Sequence, residues 1–123
     1  MIFVTGGNKK LKEAAYEAAS FSWKQLFPRI NNCSIEIQLM NLDGKTGDCL
    51  QCDDREFEIR VDKNQNFDDF MTCIIHEMVH VKQHIRNEFN SYDFKTYDEY
   101  INHPAEKEAY ALQEELYKKW KIS

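Results

Sequence analysis

Two periods of apolar and polar residues alternate along this chain. Cys33, Ile35, Ile37 and Leu39 alternate with Ser34, Glu36, Gln38 and Met40, and Phe57, Ile59 and Val61 alternate with Glu56, Glu58, Arg60 and Asp62. A period of two predicts half-buried strands. Asp48 to Cys52 predicts a further short strand, and Ile2-Phe3-Val4 a short apolar run before Gly6-Gly7. The other period is helical. Leu11, Ala14, Ala15, Ala18, Phe21, Trp23 and Leu26 mark a first helix, with Asn8 as its cap and Pro28 as its stop. Phe70, Ile74, Met78, Val81 and Ile85 mark a second, with Asn66 as N-cap and Asp68 and Asp69 at the positive end of its dipole. Ala105, Ala109, Leu112, Leu116 and Trp120 mark a third, opened by Pro104 at its first position. Between the last two helices, the polar and aromatic stretch from Tyr92 to Tyr100 reads as a loop. Helices and strands in this order predict an α+β class, with an N-terminal helix on a small, mostly antiparallel or mixed sheet.

At 123 residues the expectation is one domain, 1–123, without repeats or linkers. A composition 42% hydrophobic and 30% charged is that of a globular protein rather than a disordered one. The net charge of −5, without a basic patch, argues against nucleic acid as a partner. The first residues do not form a signal peptide and no apolar run approaches a membrane span, so the expected location is cytoplasmic. In that setting Cys33, Cys49, Cys52 and Cys73 read as reduced thiols. The single C-x-x-C of Cys49 and Cys52 lacks the second pair that a structural zinc site needs.

Candidate chemistry lies in the second helix. His76-Glu77-Met78-Val79-His80 is an H-E-x-x-H motif, and on a helix residues four apart stack on one face. His76 and His80 can then grip one metal ion, with Glu77 as general base. Gln83 falls on the same face as a candidate support for a ligand. His84 lies about 80° round the helix from His76 and is expected to stay outside the metal site. His103 reads as a cap or loop residue. Tyr92, Tyr97, Tyr100 and Tyr110 are candidates for a transition-state hydrogen bond, with packing as the plainer role of each. The third ligand is open on helical geometry alone. Glu106 and Glu108 border the apolar face of the last helix, each about 80° from its centre, and Glu106 has a ready capping job in the first turn.

His76-Glu77-Met78-Val79-His80, Gln83 and then Pro104-Ala105-Glu106-Lys107-Glu108-Ala109 resemble the small Glu-zincin metallopeptidases. The nearest pattern is H-E-M-V-H-x-x-Q, a tyrosine-containing loop and P-x-E-x-E-A. It is that of minimal, often phage-encoded, zincin-like proteins related to the SprT-like and ImmA/IrrE families. The resemblance spans about Phe57 to Tyr117; no downstream C-x-x-C pair and no helix-turn-helix accompany it. It implies a zincin-like fold, Zn2+ held by His76, His80 and a glutamate of the following helix, and hydrolysis of a peptide or protein substrate, in a host cytoplasm if phage-encoded. In that pattern the glutamate directly before alanine is the ligand, so the resemblance favours Glu108. Two alternatives keep the metal: a catalytically silent binding or regulatory protein, and an amidase of cell-wall peptide. An extended peptide is expected to add to the strand around Phe57 to Val61.

Overall fold

A computed structural model of the protein describes residues 1–89 and 96–123. The elements run β1 (Ile2–Thr5), α1 (Lys9–Leu26), β2 (Ser34–Met40), β3 (Gly47–Asp53), β4 (Glu56–Asp62), α2 (Phe67–Ile85), α3 (Tyr97–Asn102) and α4 (Pro104–Ile122). The architecture is α+β, built on one four-stranded mixed sheet in the order β1-β2-β4-β3. β1, β2 and β4 are parallel, and β3 runs antiparallel to β4.

The period-2 pattern decides which face of the sheet is covered. Ile35, Ile37, Leu39, Phe57, Ile59 and Val61 are all buried on one side. The register places Ile2 and Val4 of β1 beside Ile35 and Ile37 on that same side. α1 packs over β1 and α2 over β3 and β4, while α4 lies on α2 and touches α1. The opposite side carries Glu36 and Glu58, half-buried, and Arg60, exposed. Gly6 makes the turn from β1 into α1 at φ +77°, where a β-carbon would stand 2.1 Å from the carbonyl oxygen of Leu39. The close approach of two backbones, rather than a phosphate loop, explains that glycine.

Local signals set the helix starts. The Asn8 side chain accepts from the Leu11 amide, Asn66 from Asp69, and His103 from Ala105. His103 is thus a cap, as its place before Pro104 suggests. The expected loop from Tyr92 to Tyr100 needs correction at its end, where Thr96 caps the short helix α3. Tyr92 and the side chain of Tyr97 lie outside the described residues.

The strand offered above for peptide addition is also corrected. β4 is an interior strand, with β2 on one side and β3 on the other, so its backbone groups are already paired. Among the described residues the sheet's edges are β1 and β3. β3 lies beside α2, and its first residue is pressed against that helix: a β-carbon on Gly47 would stand 2.6 Å from Cys73 Sγ.

Candidate metal centre

α2 is apolar over most of its circumference, and it is buried from Phe70 to Gln83 with the exception of Thr72. Such a helix holds its polar residues out of water, so each needs a partner. His76, Glu77 and His80 are 6%, 6% and 8% exposed, too little for solvent to satisfy them.

The partners come from α4. His76 Nε2 lies 3.1 Å from Glu106 Oε2, and His80 Nε2 lies 2.7 Å from Glu106 Oε1. Glu106 is itself 3% exposed. It reaches this depth because Ala105 and Ala109, both fully buried, let the start of α4 settle closely onto α2. One nitrogen from each histidine and one oxygen of Glu106 lie within 4.8 Å of one another, a buried group that can hold a metal ion.

The outer ring nitrogens decide whether such an ion fits. His80 Nδ1 is 2.8 Å from Gln83 Oε1, and His76 Nδ1 is 2.8 Å from Gln113 Oε1. The Gln83 amide cannot be turned over, because its Nε2 donates to the Ala105 carbonyl at 3.0 Å and to Glu108 Oε1 at 2.9 Å. Its oxygen therefore faces His80, and Nδ1–H must donate. Gln113 Nε2 likewise donates to Glu114 Oε1 at 3.2 Å, which leaves its oxygen for His76. With both Nδ1 atoms protonated, a neutral imidazole presents its Nε2 lone pair to the Glu106 carboxylate. Lone pairs facing a carboxylate repel unless a proton or a cation stands among them. The donor set therefore fits a cation, and two imidazoles with one carboxylate leave a coordination position open.

Charge at the site follows the same geometry. Burial opposes ionisation of Glu106, but the hydrogen bonds and charges of His76 and His80 prevail and hold its carboxyl at about 2. Burial disfavours the His80 cation, yet Glu106 and Glu77 raise its pKa above the ordinary histidine value. For Glu77 burial prevails over the two histidines and lifts the carboxyl above its ordinary range, toward that of a proton acceptor.

The site departs from expectation at the third carboxylate. Glu108 does not join the histidines. Its Oε1 accepts from Lys82 Nζ at 2.9 Å and from Gln83 Nε2, on the far side of that glutamine from His80. Burial opposes its charge, but these two donors hold the carboxyl below its usual range. The residues of α4 that face the site are Glu106, Tyr110 and Gln113. The Tyr110 ring packs 4.6 Å from that of His76. Their spacing of four and then three residues is one helical face, and Glu108 is about 200° away from Glu106. That spacing was the available signal for Gln113, which sequence reasoning passed over; Gln83 stands where its spacing placed it. His84 is outside the group and packs 5.9 Å from the Phe57 ring.

Glu77 borders two cavities, of about 200 and about 290 Å³, that share Gly47, Glu77 and Tyr100. Tyr100, of α3, has its phenol pKa raised by burial and by the negative charge of Glu106. All four cysteines are free: Cys33 and Cys73 are buried, Cys49 half-buried and Cys52 exposed. Burial pushes the Cys73 thiol up to about 12, and Cys73 is not among the grouped donors. Among the described residues no helix is long and apolar enough to cross a membrane.

Two measurements test the centre. Elemental analysis of protein made in metal-replete medium should find about one ion per chain; near-zero occupancy would remove the site. Gln113→Leu should weaken metal binding about 10- to 100-fold, while Gln113→Glu, which keeps an acceptor for His76, should retain it. Equal affinity in both variants would show that the glutamine does not position the ligand.

Comparison with family models, curated proteins and solved structures finds no match for the chain.

Proposed function

We propose that the protein is a zinc-dependent metallopeptidase. The observation that carries this reading is the place of Glu77, a carboxylate buried beside the His76, His80 and Glu106 group and bordering both cavities. His76, His80 and Glu106 would hold the ion, the two-histidine, one-glutamate set typical of catalytic zinc. When bound, zinc supplies Lewis acidity to water and to a substrate carbonyl.

The remaining work falls to side chains of this chain. Glu77 accepts the proton of the attacking water and returns it to the leaving amine, a task that suits a carboxyl raised above its usual range. Gln83 and Gln113 hold the imidazoles in the tautomer that turns Nε2 inward. Among the described tyrosines Tyr100, between the two cavities, is the best placed to donate to a developing oxyanion. Among the described residues β3 is a sheet edge and its first residue, Gly47, lines both cavities, so an extended peptide can add to that strand beside the site.

Zinc-loaded protein incubated with a proteome-derived peptide library should generate new termini, read by mass spectrometry. Absence of any new terminus from protein shown to hold zinc would overturn the peptidase reading and favour a silent, metal-bearing scaffold.

A further inference from the structure

The cavity on the His76 side of Glu77 points to a substrate class. Six residues give its walls their character: Thr46, Gln65, Asp69, Thr72, Cys73 and Gln113. Its volume is about 200 Å³, several water molecules' worth at about 30 Å³ each. None of the residues lining it carries a permanent positive charge. The cavity beyond Glu77 differs, since Lys45 and Asp48 border it together, 2.8 Å apart, and Arg60 binds Asp48 as well.

The polar groups of the first cavity are weighted toward acceptors. The Thr46 carbonyl accepts from the Asp62 amide at 2.8 Å, with Gln65 Nε2 at 3.3 Å and Cys73 Sγ at 3.4 Å as further donors. The Thr72 hydroxyl is spent on the carbonyls of Asp68 and Asp69. The Asp69 carboxylate receives the Asn66 side-chain amide at 2.9 Å, and among the described residues no cation pairs with it. An unneutralised carboxylate on the wall of a polar pocket favours a cation and repels an anion.

Resting on the peptidase reading, we infer that this cavity receives a positively charged side chain of the substrate, lysine or arginine, next to the scissile bond, with Asp69 as its counter-charge. Lysine suits the shape: its four-carbon stem can run past Cys73 and Thr72 and keep the ammonium near Asp69 and the open mouth.

The test uses binding rather than turnover. Zinc-loaded protein is titrated with N-acetylated hydroxamates of lysine, norleucine and glutamic acid, and with norleucine hydroxamate bearing a free α-amine. The lysine probe should bind about tenfold more tightly than the glutamate probe, with norleucine between, a ratio expected of one partly exposed charge. Asp69→Asn should bring the acetylated probes within about twofold of one another, and Asp69→Lys should reverse the order. Both substitutions are at an exposed position of the first turn of α2, away from the metal ligands. Equal binding of the acetylated probes to the unaltered protein, or an order that survives Asp69→Lys, overturns the inference and leaves the peptidase reading intact. Preference for the free-amine norleucine probe over acetylated lysine overturns it in favour of an amino-terminal subsite. Failure of every hydroxamate to bind zinc-loaded protein overturns both.

Discussion

Glu106→Ala is expected to lower zinc affinity by more than about 100-fold, beyond the loss typical of a residue that only supports a ligand. The substitution removes the carboxylate that both imidazoles face, leaving two protein ligands where an open catalytic site has three. The matched variant is Glu108→Ala, which the sequence resemblance marks as the damaging one. It should cost the Lys82 and Gln83 contacts, on the order of 1 kcal/mol of stability, and reduce zinc affinity less than about tenfold. Lys82 keeps a second partner, Glu88, at 3.1 Å, which limits the damage. Competitive zinc titration with a chromophoric chelator measures both variants. Full affinity in Glu106→Ala with loss in Glu108→Ala would restore Glu108 as the ligand and refute the geometry described above.

Glu77→Gln carries the second large effect. The substitution keeps size and hydrogen bonding but removes the proposed base, so under the proposed mechanism peptide hydrolysis should fall by about 10²- to 10⁴-fold. Zinc content should be unchanged, because Glu77 is not among the three grouped ligands. Thermal stability should hold or rise slightly, since a buried carboxylate whose pKa is already raised gives way to a neutral amide. Rates on peptides, metal content and melting temperature, taken together, separate loss of a base from loss of the site. Undiminished hydrolysis in this variant would remove Glu77 from the reaction and with it the proposed mechanism.

These two variants also divide what was legible in the residues from what was not. Glu77 and its flanking histidines lie on one uninterrupted helix, and a spacing of four residues brings His76 and His80 together whatever else the chain does. The strands around Ile37 and Ile59 were legible for the same reason: alternation is a property of each segment taken alone. α3 was not, because six residues capped by Thr96 are too few to display an apolar period.

The sequence by itself determined the three long helices, the covered faces of β2 and β4, and the pairing of His76 with His80 beside Glu77. Each depends on contacts along one segment, and the periods 2 and 3.6 encode them. Only the tertiary structure decided that β4 is interior and β3 an edge, because strand order depends on which distant backbones pair. It also decided between Glu106 and Glu108. The two lie on opposite sides of the same helix, and the choice rests on how α4 is rotated against α2. Burial of Ala105 and Ala109 at the contact sets that rotation, turning Glu106, Tyr110 and Gln113 toward the histidines. Lys82 and Gln83 on α2 then take up Glu108. A rotation is a relation between two helices, so no pattern within either one records it.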